Sequence, residues 1–128
     1  MQAIVDTSVL IAGTAPTELE VGISVASLAE LHFGLLVADD RARAERARLL
    51  GVVEATFDPL PVDASVGREW GRLAAAVTAR GGSPRRRTVD LVIAATANVF
   101  EVELLTHDLS DLSLIADLVR AREPSTPG

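Results

Sequence analysis

The chain opens on a short apolar run, Gln2-Ala3-Ile4-Val5, that stops at Asp6 and the hydroxyl pair Thr7-Ser8. A β-branched run that ends on an acid reads as a strand delivering a carboxylate to its C-terminal end. A second run, Val102 to Thr106, repeats the pattern: Leu104-Leu105-Thr106 leads into His107-Asp108 and then Asp111. Between them the apolar spacing is helical. Val66, Trp70, Leu73 and Val77 fall on one face of a helix that Asp63 caps. Helices interleaved with short strands predict a three-layer α/β/α sandwich with a central, mostly parallel sheet. In open parallel sheets, ligands collect in the crevice outside the strands' C-terminal ends.

The remaining segments fit this plan. Thr7 to Gly13 reads as a short helix stopped by glycine, and Thr14-Ala15-Pro16 as a turn. Residues 22–25 read as a second strand, Ser27 as the cap of a helix to about Val37, and Asp39 as the start of another to about Thr56. Pro59 and Pro61 limit residues 60–62 to an edge strand or a strand start. Gly81-Gly82-Ser83-Pro84 breaks the next helix. Val89 to Val99, apolar nearly all round, is a buried helix, and a last strand is expected near 118–120. Residues 1–122 are expected to form a single domain and 123–128 a frayed tail.

Composition narrows the chemistry. There is no cysteine, so disulfides and thiolate metal sites are excluded. There is no lysine either, which removes Schiff-base chemistry and a phosphate-binding lysine. No apolar run reaches the ~18 residues of a membrane span, and no secretory signal is visible, so the expected location is the cytoplasm. The net charge of −6 argues against a polyanion partner. Its distribution softens that, because Arg85, Arg86 and Arg87 cluster beside Arg80, and the acids that converge on a cation would draw phosphate with it.

Acids from four distant segments fall in similar settings: Asp6, Glu30, Asp90, and the pair Asp108 and Asp111. Each also has a structural reading. Asp6 can cap the helix that follows, although Ser8 can do that instead. Ser27-Leu28-Ala29-Glu30 fits a capping box. Asp90 suits the positive end of a helix dipole, although Thr88 can cap the same helix. Asp108 and Asp111 suit a polar turn. Together they point to a metal site, since clustered carboxylates repel unless protonated or bridged by a cation. Hard oxygen ligands without cysteine or paired histidine select Mg²⁺ or Mn²⁺. Of the two histidines, His107 stands beside this set and His32 reads as helix surface.

With those residues in place the chain resembles the PIN-domain family, and within it the VapC toxins of toxin–antitoxin pairs. The resemblance rests on Ile4-Val5-Asp6-Thr7-Ser8-Val9-Leu10-Ile11, on Ile23 to Leu31 with Gly34, on Arg85 to Ala97, and on Leu104-Leu105-Thr106-His107-Asp108 with Asp111. It implies a compact α/β/α fold, a Mg²⁺- or Mn²⁺-dependent endoribonuclease, a homodimer, and a cognate VapB-like antitoxin. Carried over by position, Asp6, Glu30 and Asp90 match the first three family acids. The fourth is Asp108 or Asp111, with Leu112 where the family often has an aromatic. Asp6, Asp90, Asp108 and Asp111 are then the metal ligands and Asp6, Glu30, Asp90 and Asp108 the catalytic set. Ser8 and Thr106 orient carboxylates, and Arg85, Arg86 and Arg87 grip the RNA backbone. The alternative is a non-catalytic PIN-like module that binds RNA or a partner. Receiver domains and aspartate phosphatases normally use a lysine that this chain lacks.

Overall fold

A computed structural model describes residues 1–125. Residues 126–128, the end of the expected frayed tail, lie outside the described residues. Just before them, the Arg122 guanidinium donates to the Ser125 hydroxyl (3.1 Å).

Four short parallel strands form one sheet in the order β2-β1-β3-β4: β1 (Ala3–Val5), β2 (Val21–Gly22), β3 (Glu103–Leu105) and β4 (Ala121–Arg122). Ile4 is in register with Gly22 on one side and Leu104 on the other. Five helices flank the sheet: α1 (Thr7–Ala12), α2 (Val25–Leu36), α3 (Asp40–Thr56), α4 (Ala64–Ala79) and α5 (Thr88–Val99). Two 3-10 segments, Pro84–Arg87 and Leu109–Ile115, lead into α5 and follow β3.

Strand alternation divides the core between the two faces of the sheet. Ile4 and Leu104 pack with Val66, Leu73 and Val77 of α4 and with Leu91 and Ile93 of α5. Ala3, Val5 and Leu105 pack the other way, with Val9 and Leu10 of α1, Leu31 of α2, and Leu50 and Val53 of α3. The expected stripe on α4 is therefore its buried face, and the α5 run of Ile93 to Ala97 is buried throughout. Burying each large aliphatic side chain in these clusters contributes roughly 1.5–3 kcal/mol.

Several boundaries differ from the sequence reading, each for a local reason. Strand two is Val21–Gly22 and not 22–25, because Ser24 already caps α2: its hydroxyl accepts from the Ala26 N–H (3.0 Å). Ser27 is thus inside the helix and fully buried, and the expected capping box with Glu30 does not form. Residues 60–62 contribute one bridge, Ser24 to Leu60. The last strand is 121–122, since residues 118–120 are used in reaching the sheet edge. Gly13 stops α1 as expected. At φ 69 it adopts the left-handed conformation that only glycine enters freely, and its N–H closes on Leu10.

Candidate active site

The strand order places β1 centrally, with chain crossing from one of its sides to the other between β2 and β3. The C-terminal ends of β1 and β3 therefore flank a topological switch point, where such sheets open a crevice. Asp6 follows β1 and Thr106 follows β3, and their side chains meet there.

Asp6 is buried, and both of its oxygens are hydrogen-bonded. One carboxylate oxygen, Oδ1, accepts from the Ser8 hydroxyl (2.5 Å) and the Val9 N–H (3.2 Å), and Oδ2 accepts from the Thr106 hydroxyl (2.5 Å). The donors are themselves held. Ser8 Oγ accepts from the His107 N–H (2.9 Å), and Thr106 Oγ1 accepts from the Asp108 N–H (2.9 Å). Asp6 caps α1, as the structural reading expected, and also ties the two strand ends together. Ser8 and Thr106 occupy the orienting positions that the sequence suggested for them.

Glu30 reaches the site from the middle of α2. It accepts a 2.5 Å bond from the Thr7 hydroxyl, and Ser27 Oγ lies 3.1 Å from the same hydroxyl. Thr7 is a positioning residue that the sequence reading missed; its only signal was adjacency to Asp6. Asp90 stands in the first turn of α5, half-buried. Thr88 does not cap that helix, since its hydroxyl donates back to Pro84 and Arg85 carbonyls. Burial pushes the Asp90 carboxyl up to about 6; the charges of Asp111, Glu30 and Asp6 add to this, while Arg87 opposes it.

Asp6, Glu30, Asp90 and Asp108 line one open cleft of about 510 Å³ together with Thr7, Ser8 and His107. Asp111 borders a narrower adjoining recess with Asp6, Asp90, Thr106 and Asp108. All five acids thus share one region, and both Asp108 and Asp111 reach it. Of these two, Asp111 is the one whose charge acts on Asp90. Arg87 forms an ion pair with it at 2.5 Å. The other two clustered arginines, Arg85 and Arg86, are exposed and form no ion pair among the described residues. His107 serves through its N–H and a ring contact to Thr14 (2.6 Å), and His32 is exposed on α2 as expected.

The donor set suits a hard divalent cation: carboxylate oxygens at a charge-crowded cleft, with no thiolate. Among the described residues no three acids or histidines are drawn together tightly enough to hold an ion as they stand. Crowded like charges repel; here hydroxyls and a backbone amide engage Asp6, the Thr7 hydroxyl engages Glu30, and Arg87 pairs with Asp111. A second cavity, of about 650 Å³, lies at the other end of the sheet, beside the residues that precede β3 and β4. One of its acids, Glu69, is already paired with Arg72 (2.7 Å) and Asn98 (2.8 Å).

Comparison with known proteins agrees with this fold. The PIN-domain family profile matches residues 3–117. Ribonuclease VapC8 of Mycobacterium tuberculosis is 39% identical over 102 residues, which is 75% of this chain and 90% of that protein. Ribonuclease VapC4 of the same organism is 32% identical over 125 residues, 91% of this chain and 93% of its own. Among solved structures, a member of the VapBC family of toxin–antitoxin systems, VapBC-5 from Mycobacterium tuberculosis, superposes with a TM-score of 0.80. It is 31% identical, over 98% of this chain and 100% of the solved chain.

Proposed function

This chain belongs to the PIN-domain family, and we propose that it is a metal-dependent endoribonuclease acting as the toxin of a toxin–antitoxin pair. The observation that carries the reading is the gathering of Asp6, Glu30, Asp90, Asp108 and Asp111 at the C-terminal ends of β1 and β3. The similar proteins named ribonucleases support RNA as the substrate. The VapBC-5 likeness supports a VapB-like antitoxin as the partner.

Asp6, Asp90, Asp108 and Asp111 would hold Mg²⁺ or Mn²⁺, which supplies a more acidic water and offsets charge on the phosphoryl group when bound. Ser8, Thr106 and the Val9 N–H fix the Asp6 carboxylate, so its remaining lone pair has one direction. Glu30, oriented by Thr7, is placed to accept a proton from an attacking water. Arg85 and Arg86, exposed and unpaired among the described residues, are free to take RNA phosphates. Attack by water expels the 3′ oxygen, leaving 5′-phosphate and 3′-hydroxyl ends.

The test is cleavage of total RNA by the purified chain. Cutting is expected with Mg²⁺ or Mn²⁺ and is expected to stop in EDTA. Undiminished cutting in excess chelator would reject the metal requirement, and none with any divalent ion would leave a non-catalytic PIN-like binding module.

The proposal includes a homodimer working in the cytoplasm. Among the described residues no helix is long and apolar enough to cross a membrane. Exposed Ile11, Phe33, Leu36 and Val37 leave apolar surface for protein partners. Light scattering of the chain alone is expected to give twice the monomer mass at micromolar concentration; a single-chain mass at that concentration would count against the dimer.

A further inference from the structure

Among the described residues, Arg87 is the one member of its cluster held in an ion pair. Its Nη1 lies 2.5 Å from Asp111 Oδ1, with side-chain exposures of 40% and 34%. It sits at the N-terminal end of α5, and Asp90 is in that helix's first turn. Its charge acts on Asp90 in the sense opposite to Asp111, Glu30 and Asp6. The guanidinium is therefore a cation already in place at the rim of the carboxylate cluster. It also borders, with Arg86 and Asp111, a cavity of about 490 Å³ that opens beside the acids.

We propose that Arg87 is an internal counter-ion that competes with the divalent cation for Asp111 and, once displaced, holds a phosphate of the RNA. The inference rests on the metal-dependent reading above and gives that site an order of events: cation first, RNA second. At equal distance a doubly charged ion attracts the Asp111 carboxylate about twice as strongly as a guanidinium does. A guanidinium fork pairs with phosphate as it does with carboxylate, so the displaced Arg87, solvated at the cleft rim, is available to the RNA that follows. In this arrangement Asp111 is turned toward Arg87.

The test is Mn²⁺ binding to the full, RNA-free chain, read from the free-ion paramagnetic resonance signal and so independent of cleavage. Arg87→Gln and Arg87→Met are expected to bind Mn²⁺ about tenfold more tightly than wild type, an increment of about 1.4 kcal/mol. Arg87→Lys, which keeps the charge, is expected to stay within about threefold of wild type. In an Asp111→Asn background the gain from Arg87→Gln is expected to vanish. Single-stranded DNA, an analogue without the 2′-hydroxyl, is expected to bind the neutral Arg87 variants about tenfold more weakly in Mn²⁺, by fluorescence anisotropy. Unchanged or weaker Mn²⁺ binding by both neutral variants, with wild-type circular dichroism, overturns the counter-ion role and leaves the metal reading standing. A wild-type chain that binds no Mn²⁺ overturns both.

Discussion

Asp90→Asn is expected to abolish RNA cleavage while making the metal-free protein more stable. Asparagine keeps the size and hydrogen-bonding outline of the side chain but removes one negative charge from a half-buried, like-charged cluster. Losing one of the proposed carboxylate ligands is expected to remove about 4 kcal/mol of transition-state stabilisation, roughly a thousandfold in rate. The stability change follows from proton linkage. The Asp90 carboxyl is raised to about 6 by burial and by Asp111 and Glu30, so the folded state holds this proton more tightly than the unfolded chain does. Its contribution is therefore fully present below the ordinary aspartate range and is lost as pH rises through about 6. Above that pH, Asp90→Asn is expected to gain about 1 kcal/mol after allowance for solvent screening, or about 4 °C in Tm. Thermal melts in EDTA from pH 4 to 8 check this: the wild-type decline across pH 4–6 should be shallower in the variant. An active variant, or one whose melting profile keeps the wild-type slope, would reject the assignment.

Asp6→Asn should be equally inactive and should move stability the other way. Three donors hold Asp6: the Ser8 and Thr106 hydroxyls and the Val9 N–H all point at its two oxygens. Asparagine still caps α1, because one oxygen remains to accept from Val9. Its amide turns two donors toward each other where Thr106 or Ser8 stood, unless the hydroxyl rotates and gives up its own contact. Hydrogen bonds to a charged acceptor contribute about 1.5–3 kcal/mol each, so a loss of about 2–3 kcal/mol is expected. Urea denaturation of both variants without metal gives the comparison. Opposite shifts in midpoint separate a carboxylate tied into the scaffold from one left under repulsion. If Asp6→Asn is as stable as wild type, the tie between β1 and β3 is not what holds these strand ends.

Much of this was visible along the chain because strand ends and helix faces are local properties. An apolar run stopped by an acid and a hydroxyl marks Asp6 and Ser8 at the end of β1, and again Thr106 and Asp108 after β3. The α4 stripe is set by helical periodicity, and the stop at Gly13 by backbone sterics. What failed was local ambiguity. Ser24 and Ser27 are both plausible caps of the same helix, and the choice fell to Ser24 because Ser24 follows directly on buried Ile23 and bridges to Leu60. That moved Glu30 from the first turn of α2 toward its middle, where Thr7 and not a backbone amide holds it.

The sequence by itself determined which residues carry charge to strand ends and which faces are apolar, since both depend on neighbours within one turn or one strand. The tertiary structure alone decided who meets whom. The clasp of Thr106 on Asp6, the reach of Thr7 to Glu30 and the pairing of Arg87 with Asp111 all join segments far apart in the chain. Nothing in local propensity specifies such pairs. They exist because β1 and β3 are neighbours in the sheet, and because α5 and the 3-10 turn after β3 pack onto the same face. Geometry also decides whether a carboxylate is held by neutral donors, like Asp6, or left to repulsion that a cation can relieve, like Asp90.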